Sequence, residues 1–111
     1  MKLLIAGSRS ILSFDLSNYV SYDVDLIITG GASGVDRIAE EYADGHNISK
    51  LVIRPKYSIF GKSAPIVRNK EMIALADEIL VIWDGKSHGT KFTIDHSKKT
   101  GKRITVIDIS K

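Results

Sequence analysis

Two carboxylates, Asp36 and Asp84, stand beside glycine-rich turns, and those turns carry the residues most able to do chemistry. Asp36 closes the stretch Leu26-Ile27-Ile28-Thr29-Gly30-Gly31-Ala32-Ser33-Gly34-Val35-Asp36, in which a short β-branched run stops at two glycines and an amphipathic helix begins at Ser33. A strand turning tightly into a helix leaves free backbone N–H groups at the positive end of the helix dipole, where phosphates and carboxylates bind. Three glycines let a ligand come close to that backbone, and Gly30 and Gly31 can take positive φ at little cost. A plain helix start, with Ser33 as N-cap and Asp36 reaching back to it, is the competing reading. It accounts for Ser33 and Asp36 but not for the two glycines before the cap, so an anion seat is expected here. The G-G-x-x-G spacing is not the dinucleotide fingerprint, and no Gly-Lys-Ser/Thr follows to make a Walker loop.

Three further segments carry polar groups of the same kind. In Gly7-Ser8-Arg9, Ser8 can donate to a phosphate and Arg9 can clamp one bidentately; a turn with a surface arginine is the alternative. In Trp83-Asp84-Gly85-Lys86-Ser87-His88-Gly89-Thr90, Asp84 can accept from ribose hydroxyls, and Thr90 can cap the following helix. The alternative for Asp84-Gly85 is a simple turn. His88 is a lone loop histidine with no orienting partner in view. Arg68-Asn69 is locally awkward: Asn69 shares a helical face with Met72, Ile73 and Ala76, and Arg68 puts a cation near a helix start, where the dipole disfavours it. Asn69 either meets a ligand or ties down the preceding segment. In that segment Tyr57 or Phe60 can stack on a base and Lys62 can meet a phosphate, or the aromatics pin the loop to the core.

The elements that must position these residues follow from the apolar pattern. Strand-like runs recur at Leu3–Ala6, Leu26–Thr29, Leu51–Arg54, Ile79–Trp83 and Ile104–Ile109, and helical patterns lie between them. The second helix is the clearest, with Val35, Ile38, Ala39 and Tyr42 at i, i+3, i+4 and i+7. Pro65 opens the third near its first turn. Most strands are continuous apolar runs, so both faces of the sheet should be covered. Alternating strands and helices predict a five-stranded parallel sheet with right-handed crossovers, in order 3-2-1-4-5 with helices on both faces. In that α/β Rossmann-like arrangement the four polar segments share one edge, beyond the carboxyl ends of the strands. Pro55 to Ala64 reads as a loop of about ten residues.

The 111 residues suit a single domain, residues 1–111. The absence of cysteine excludes a disulfide framework and a thiolate zinc site, and no metal site is expected. No apolar run approaches the ~20 residues of a membrane span, and the N-terminus reads as a strand rather than a signal peptide, so a cytoplasmic location and no membrane partner are expected. A net charge of +3 permits nucleic-acid binding without indicating it. The densest basic cluster, Lys98, Lys99, Lys102 and Arg103, reads as the solvated end of a helix finishing at Gly101. No aromatic residues interleave it, as a single-strand stacking surface would require.

Taken in order, Gly7-Ser8-Arg9, Thr29 through Asp36, Gly61-Lys62, Arg68-Asn69 with Met72, Ala76-Asp77, and Trp83-Asp84-Gly85 through Ser87 to Gly89-Thr90 resemble the SLOG (Smf/LOG-like) superfamily. The small YspA/YpsA-related proteins are the most similar branch. The likeness runs from the first strand to the last, including the Gly101-Lys102 before it. It implies a Rossmann-like fold and a site for a nucleotide or nucleotide-derived ligand, with phosphate at the Gly30–Gly34 loop. The residues it places at that site are Gly7, Ser8, Arg9, Gly30, Gly31, Ala32, Ser33, Gly34, Asp36, Lys62, Arg68, Asn69, Asp84, Gly85, Ser87, Gly89 and Thr90. The superfamily includes enzymes, ligand sensors and the DNA-processing Smf/DprA proteins, and its members commonly pair, which implies a homo-oligomer.

One departure narrows the function. The LOG phosphoribohydrolases and the similar nucleoside deoxyribosyltransferases place a glutamate three residues after the Gly-Thr; here that position is Thr93. Asp95 lies two residues further, about 200° around the helix, so Thr90, Thr93, Ile94 and Ser97 make the inward face and Asp95 points out. The expectation is therefore a module that holds its ligand for sensing, sequestration or delivery. The alternatives are a nucleotide N-glycosidase or phosphoribosyl hydrolase using Asp36 or Asp84, and a single-stranded DNA binder of the Smf/DprA type.

Overall fold

The apolar runs become five parallel strands in a computed structural model that describes residues 1–110: β1 (Lys2–Gly7), β2 (Leu26–Thr29), β3 (Ser49–Val52), β4 (Glu78–Trp83) and β5 (Arg103–Asp108). They lie in the order β3-β2-β1-β4-β5, as the pattern predicts. Leu4 pairs with Ile28 on one side and Ile79 on the other, and Leu80 pairs with Thr105. The helices are α1 (Val35–Gly45), α2 (Tyr57–Phe60), α3 (Ala64–Leu75) and α4 (His88–Lys99).

Strand side chains alternate between two cores. Leu3, Ile5, Ile27, Leu80 and Ile82 pack on one face with Val35, Ala39 and Ala43 of α1. Leu4, Ala6, Ile28, Ile79 and Val81 pack on the other with Met72, Ile73 and Ala76 from the end of α3 and Ile94 of α4. A strand buried on both faces needs apolar residues at every position, which is why the runs are continuous. No helix among the described residues is long and apolar enough to cross a membrane.

Several local expectations are corrected. No helix forms between β1 and β2; residues 8–25 run as turns and irregular chain. Ile11, Leu16 and Val24 from this segment fill the core beside α1. The polar residues between them favour local turns over helix: Asp15 Oδ1 accepts from the Ser17 amide and hydroxyl, and Ser21 donates to Asp23. β3 begins two residues earlier than Leu51, because its register sets Ser49 opposite Leu26 and Val52 opposite Thr29. β5 begins one residue early, with Arg103 opposite Glu78.

Pro55 to Ala64 is not an irregular loop. Ile59 and Phe60 donate to Lys56 O at 3.1 and 3.0 Å, closing the single turn of α2, and a 3-10 turn at Gly61–Ser63 leads into α3. Tyr57 and Phe60 are exposed, so they do not pin it to the core. The basic cluster divides: Lys98 and Lys99 stand exposed in the last turn of α4, as expected, whereas the other two leave the helix end. α4 stops at Lys99, Lys102 Nζ reaches back to the Ala76 carbonyl at 2.7 Å beyond the end of α3, and Arg103 pairs with Glu78 at 3.5 Å.

Candidate functional site

Chain order reverses between β1 and β4: β2 and β3 lie to one side of β1, and β5 lies beyond β4. Open α/β sheets form their ligand crevices beyond the carboxyl ends of the strands at such a point. Here a cleft of about 420 Å³ opens there, walled by the turns after β1, β2 and β4 and by the first turns of α3 and α4.

Ala32 brings the Gly30–Gly34 turn to the cleft wall, and much of the turn's hydrogen-bonding capacity is used within the protein. The Gly31 amide donates to Thr29 Oγ1 at 3.3 Å, and the Ala32 amide donates to Asp36 Oδ2 at 3.1 Å. At the start of α1 the Val35 amide donates to Ser8 O at 3.3 Å. The N-cap of α1 is Gly34, with no side-chain cap bond, so Ser33 does not cap it; Ser33 is exposed. Positive φ falls on Gly31 and Gly34 rather than on Gly30 and Gly31. Gly34 lies against the backbone of the β1 turn, where a Cβ would come 2.4 Å from Ser8 O. Gly30 is needed for a different reason: a Cβ there would lie 2.6 Å from Arg68 Nη1 and 2.9 Å from Asp36 Oδ2.

Arg68 acts as a brace. Its Nη1 donates to Gly30 O at 2.7 Å and Ile53 O at 3.3 Å, and its Nε donates to Asn69 Oδ1 at 2.9 Å. This explains a cation in the first half of α3: its partners are carbonyls of another segment. It also settles the Asn69 alternatives in part, since Asn69 steadies Arg68 rather than the chain before α3. Burial lowers the Arg68 pKa; the Asp36 charge raises it and the nearby Arg9 lowers it. Asp36 is buried in the cleft wall, and desolvation raises its pKa against the opposing pull of the Ala32 amide and Arg68.

The opposite wall is closed by a polar stitch. Asp84 Oδ1 accepts from the amides of Lys86 and Ser87, each at 2.9 Å, and Oδ2 accepts from Ser10 Oγ at 2.8 Å. Ser87 Oγ is within 2.9 Å of both oxygens. The two backbone donors, Ser87 first, hold the Asp84 carboxyl well below the usual carboxylate range. Asp84 is thus a turn-former with its oxygens engaged. Ser8 is also structural: it is buried, and its Oγ accepts from the Asp84 amide and Ser87 Oγ, both at 3.0 Å. Thr90 is not the cap of α4; Ser87 is the N-cap residue.

What stays open is more selective. Arg9 is exposed into the cleft and makes no hydrogen bond or ion pair among the described residues. α4 has no side-chain cap, and its first amides, at His88, Gly89 and Thr90, have no acceptor among the described residues. Gly89 lines the cleft with nothing within 4 Å of where a Cβ would stand. Thr90 is largely buried and lines the same space, and its side chain makes no hydrogen bond among the described residues. Thr93 lies below it, 3% exposed, whereas Asp95 points outward and pairs with Lys91 at 3.1 Å. An uncapped helix start beside a free guanidinium can hold an anion.

Of the expected residues, the cleft brings together Gly7, Arg9, Ala32, Asp36, Arg68, Asn69, Asp84, Ser87, Gly89 and Thr90. Ser8, Gly30, Gly31, Ser33, Gly34, Lys62 and Gly85 do not line it; Lys62 is exposed, and Gly85 packs against Ser110. His88 is exposed and outside the lining. Ser10, Pro65 and Met72 also line the cleft; Ser10 was findable as the hydroxyl nearest the end of β1 after Ser8. Beside the main cleft a second compartment of about 270 Å³ is formed by Gly30, Gly31, Arg9, Arg54, Tyr57 and Arg68, among others.

The chain is similar to the Gene 61 protein of Mycobacterium phage D29, with 34% identity over 82 residues, or 68% of this chain. It spans 66% of that relative's length. No family model and no solved structure matches it.

Proposed function

We propose that this protein binds a nucleotide or nucleotide-derived ligand in the cleft between the β1 and β4 turns and holds it without cleaving it. One observation carries the reading: Arg9, the uncapped start of α4 and Thr90 line one cleft at the strand-order reversal, with no hydrogen-bond partner among the described residues. Together they offer a phosphate a planar cation, backbone donors and a hydroxyl. The Gly30–Gly34 turn contributes shape and its remaining amides, because three donors in and just after it are engaged internally. Asn69 and the backbone around Ala32 remain for the sugar or base. Membership of the SLOG superfamily is part of this proposal and rests on the ordered motifs. So do the roles of sensing, sequestration or delivery.

Binding without cleavage follows from the carboxylates. Glycosidic hydrolysis needs one set against an oxocarbenium-like centre; Thr93 stands where the resemblance places it, and Asp84 is saturated by its own turn. Isothermal titration with nucleoside mono- and diphosphates, dinucleotides and ADP-ribose tests the reading. Binding of at least one, lost in Arg9→Gln, supports it; no binding by folded protein discards it.

Asp36 favours a second reading, because a buried carboxylate with a raised pKa in a cleft is a candidate acid or base. Chromatography for free base after incubation with nucleoside monophosphates tests it. Turnover that disappears in Asp36→Asn would make the protein an N-glycosidase. Single-stranded DNA is outside the proposal, because no aromatic side chain interleaves the basic cluster as a stacking surface would require.

A further inference from the structure

The compartment beside the cleft has an unusual charge. Three guanidinium groups, Arg9, Arg54 and Arg68, surround about 270 Å³ together with Tyr57 and the Gly30–Gly31 backbone, and no carboxylate lines it. Like charges gathered around one space repel unless something of opposite sign sits among them. Asp36, whose charge acts on Arg68, lies on the main cleft side, where burial favours its neutral form.

The three arginines are not equally committed. Arg68 spends Nη1 on two backbone carbonyls and Nε on Asn69. Arg54 gives one Nη1 bond, 2.9 Å, to Gly31 O, which fixes its head at the compartment wall. Its other donors have no protein acceptor among the described residues, and a guanidinium carries five. Arg9 gives none. A fixed arginine and a free one therefore face the same space, backed by a third that keeps the glycine turn in place.

Size and continuity decide how this space is used. Self-standing ligand sites run to roughly 300–1,000 Å³, so about 270 Å³ is small for one. Arg9, Ala32 and Arg68 belong to both linings, and the two spaces adjoin through them. We propose that the Arg9–Arg54 compartment takes a second phosphoryl group of the same ligand. The protein then selects nucleotides with two separated phosphates, such as nucleoside 3′,5′-bisphosphates or 5′-phosphorylated dinucleotides, over monophosphates. Tyr57, 58% exposed at the rim, offers a ring and a phenol to the portion between the phosphates. This inference rests on the nucleotide reading above.

Titration calorimetry with AMP, ADP and adenosine 3′,5′-bisphosphate, on the wild type, Arg54→Gln and Arg54→Lys, tests it. The bisphosphate is expected to bind the wild type roughly 10- to 100-fold more tightly than AMP, the worth of one or two charge-assisted contacts. ADP, with equal charge but adjacent phosphates, gains less. Arg54→Gln abolishes the preference and leaves AMP affinity within about twofold, and Arg54→Lys restores part of it. Equal binding of bisphosphate and AMP overturns the inference and leaves the nucleotide reading standing. An Arg54→Gln loss that is equal for both ligands does the same, by making Arg54 only a brace for Gly31. If none of the three nucleotides binds, the inference falls, and the nucleotide reading stands or falls on the wider set of ligands.

Discussion

Arg68 Nη1 lies 2.7 Å from the carbonyl oxygen of Gly30, and that bond carries the end of β2 on a side chain from α3. The same nitrogen reaches Ile53 O at 3.3 Å, so one guanidinium fastens the exits of both β2 and β3. Arg68→Ala is expected to lower unfolding free energy by about 1–3 kcal/mol, because two carbonyls lose a charge-assisted donor. Arg68→Lys should recover less than half, since a single ammonium cannot reproduce the fork that also meets Asn69. Urea denaturation of the two variants measures this; full rescue by lysine would mean that only the charge matters.

Two glycines of the cleft should respond in opposite ways to the same substitution. Gly30→Ala forces a methyl between Arg68 and Asp36 and should cost about 1–3 kcal/mol. Gly89→Ala meets nothing within 4 Å and sits in the first turn of a helix, so stability should hold or rise by up to ~1 kcal/mol. The added methyl would nevertheless stand in the cleft and weaken binding. Thermal denaturation paired with calorimetry separates the two effects, and unchanged binding in Gly89→Ala would remove α4 from the ligand site.

These residues also show what was legible in the chain. The inward face of α4 could be read in advance, because Thr90, Thr93, Ile94 and Ser97 follow helical spacing and all four are buried. Sheet order was legible for a related reason: continuous apolar strands alternating with helical segments leave few topologies. The partners of polar groups were not. Nothing near Arg68 in sequence announces carbonyls 15 and 38 residues away. Ser8 and Asp84 looked like ligand contacts because the same atoms that can meet a phosphate can also tie two turns together. Segment 8–25 was misread because its few apolar residues fill a core without a helical period.

Asp36 should leave a mark on the pH profile. Desolvation raises its folded pKa above the ordinary 3.8. Between those values the folded protein holds the extra proton, so this contribution is complete below about 3.8 and is lost as pH rises through the folded pKa. Asp84 contributes with the opposite sign: its depressed pKa gives stability above the ordinary value that is lost at strongly acid pH. In Asp36→Asn the decline with rising pH should vanish while the acid limb remains. Urea midpoints of wild type and variant across this range check it; parallel curves would place the Asp36 proton elsewhere.

Lys102 caps a helix that is not its own. Its Nζ lies 2.7 Å from Ala76 O and 3.4 Å from Ala74 O, at the carboxyl end of α3. Lys102→Met, which keeps the aliphatic stem, should cost about 0.3–1 kcal/mol, with the loss shrinking at high salt. Chemical denaturation at two ionic strengths measures it, and a salt-independent loss would assign the effect to packing.

The irregular segment between β1 and β2 gives the cleft walls of unequal stiffness. Arg9 and Ser10 begin a stretch whose amides make few backbone bonds, whereas the facing wall is the first turn of a regular helix. Amides in residues 9–23 should therefore exchange with deuterium through small local openings, long before those of β4 or α4. A ligand gripping Arg9 would have to close those openings in order to bind. Slowed exchange on this side of the cleft, with little change on the other, would then report occupancy even where the ligand leaves the average structure unaltered.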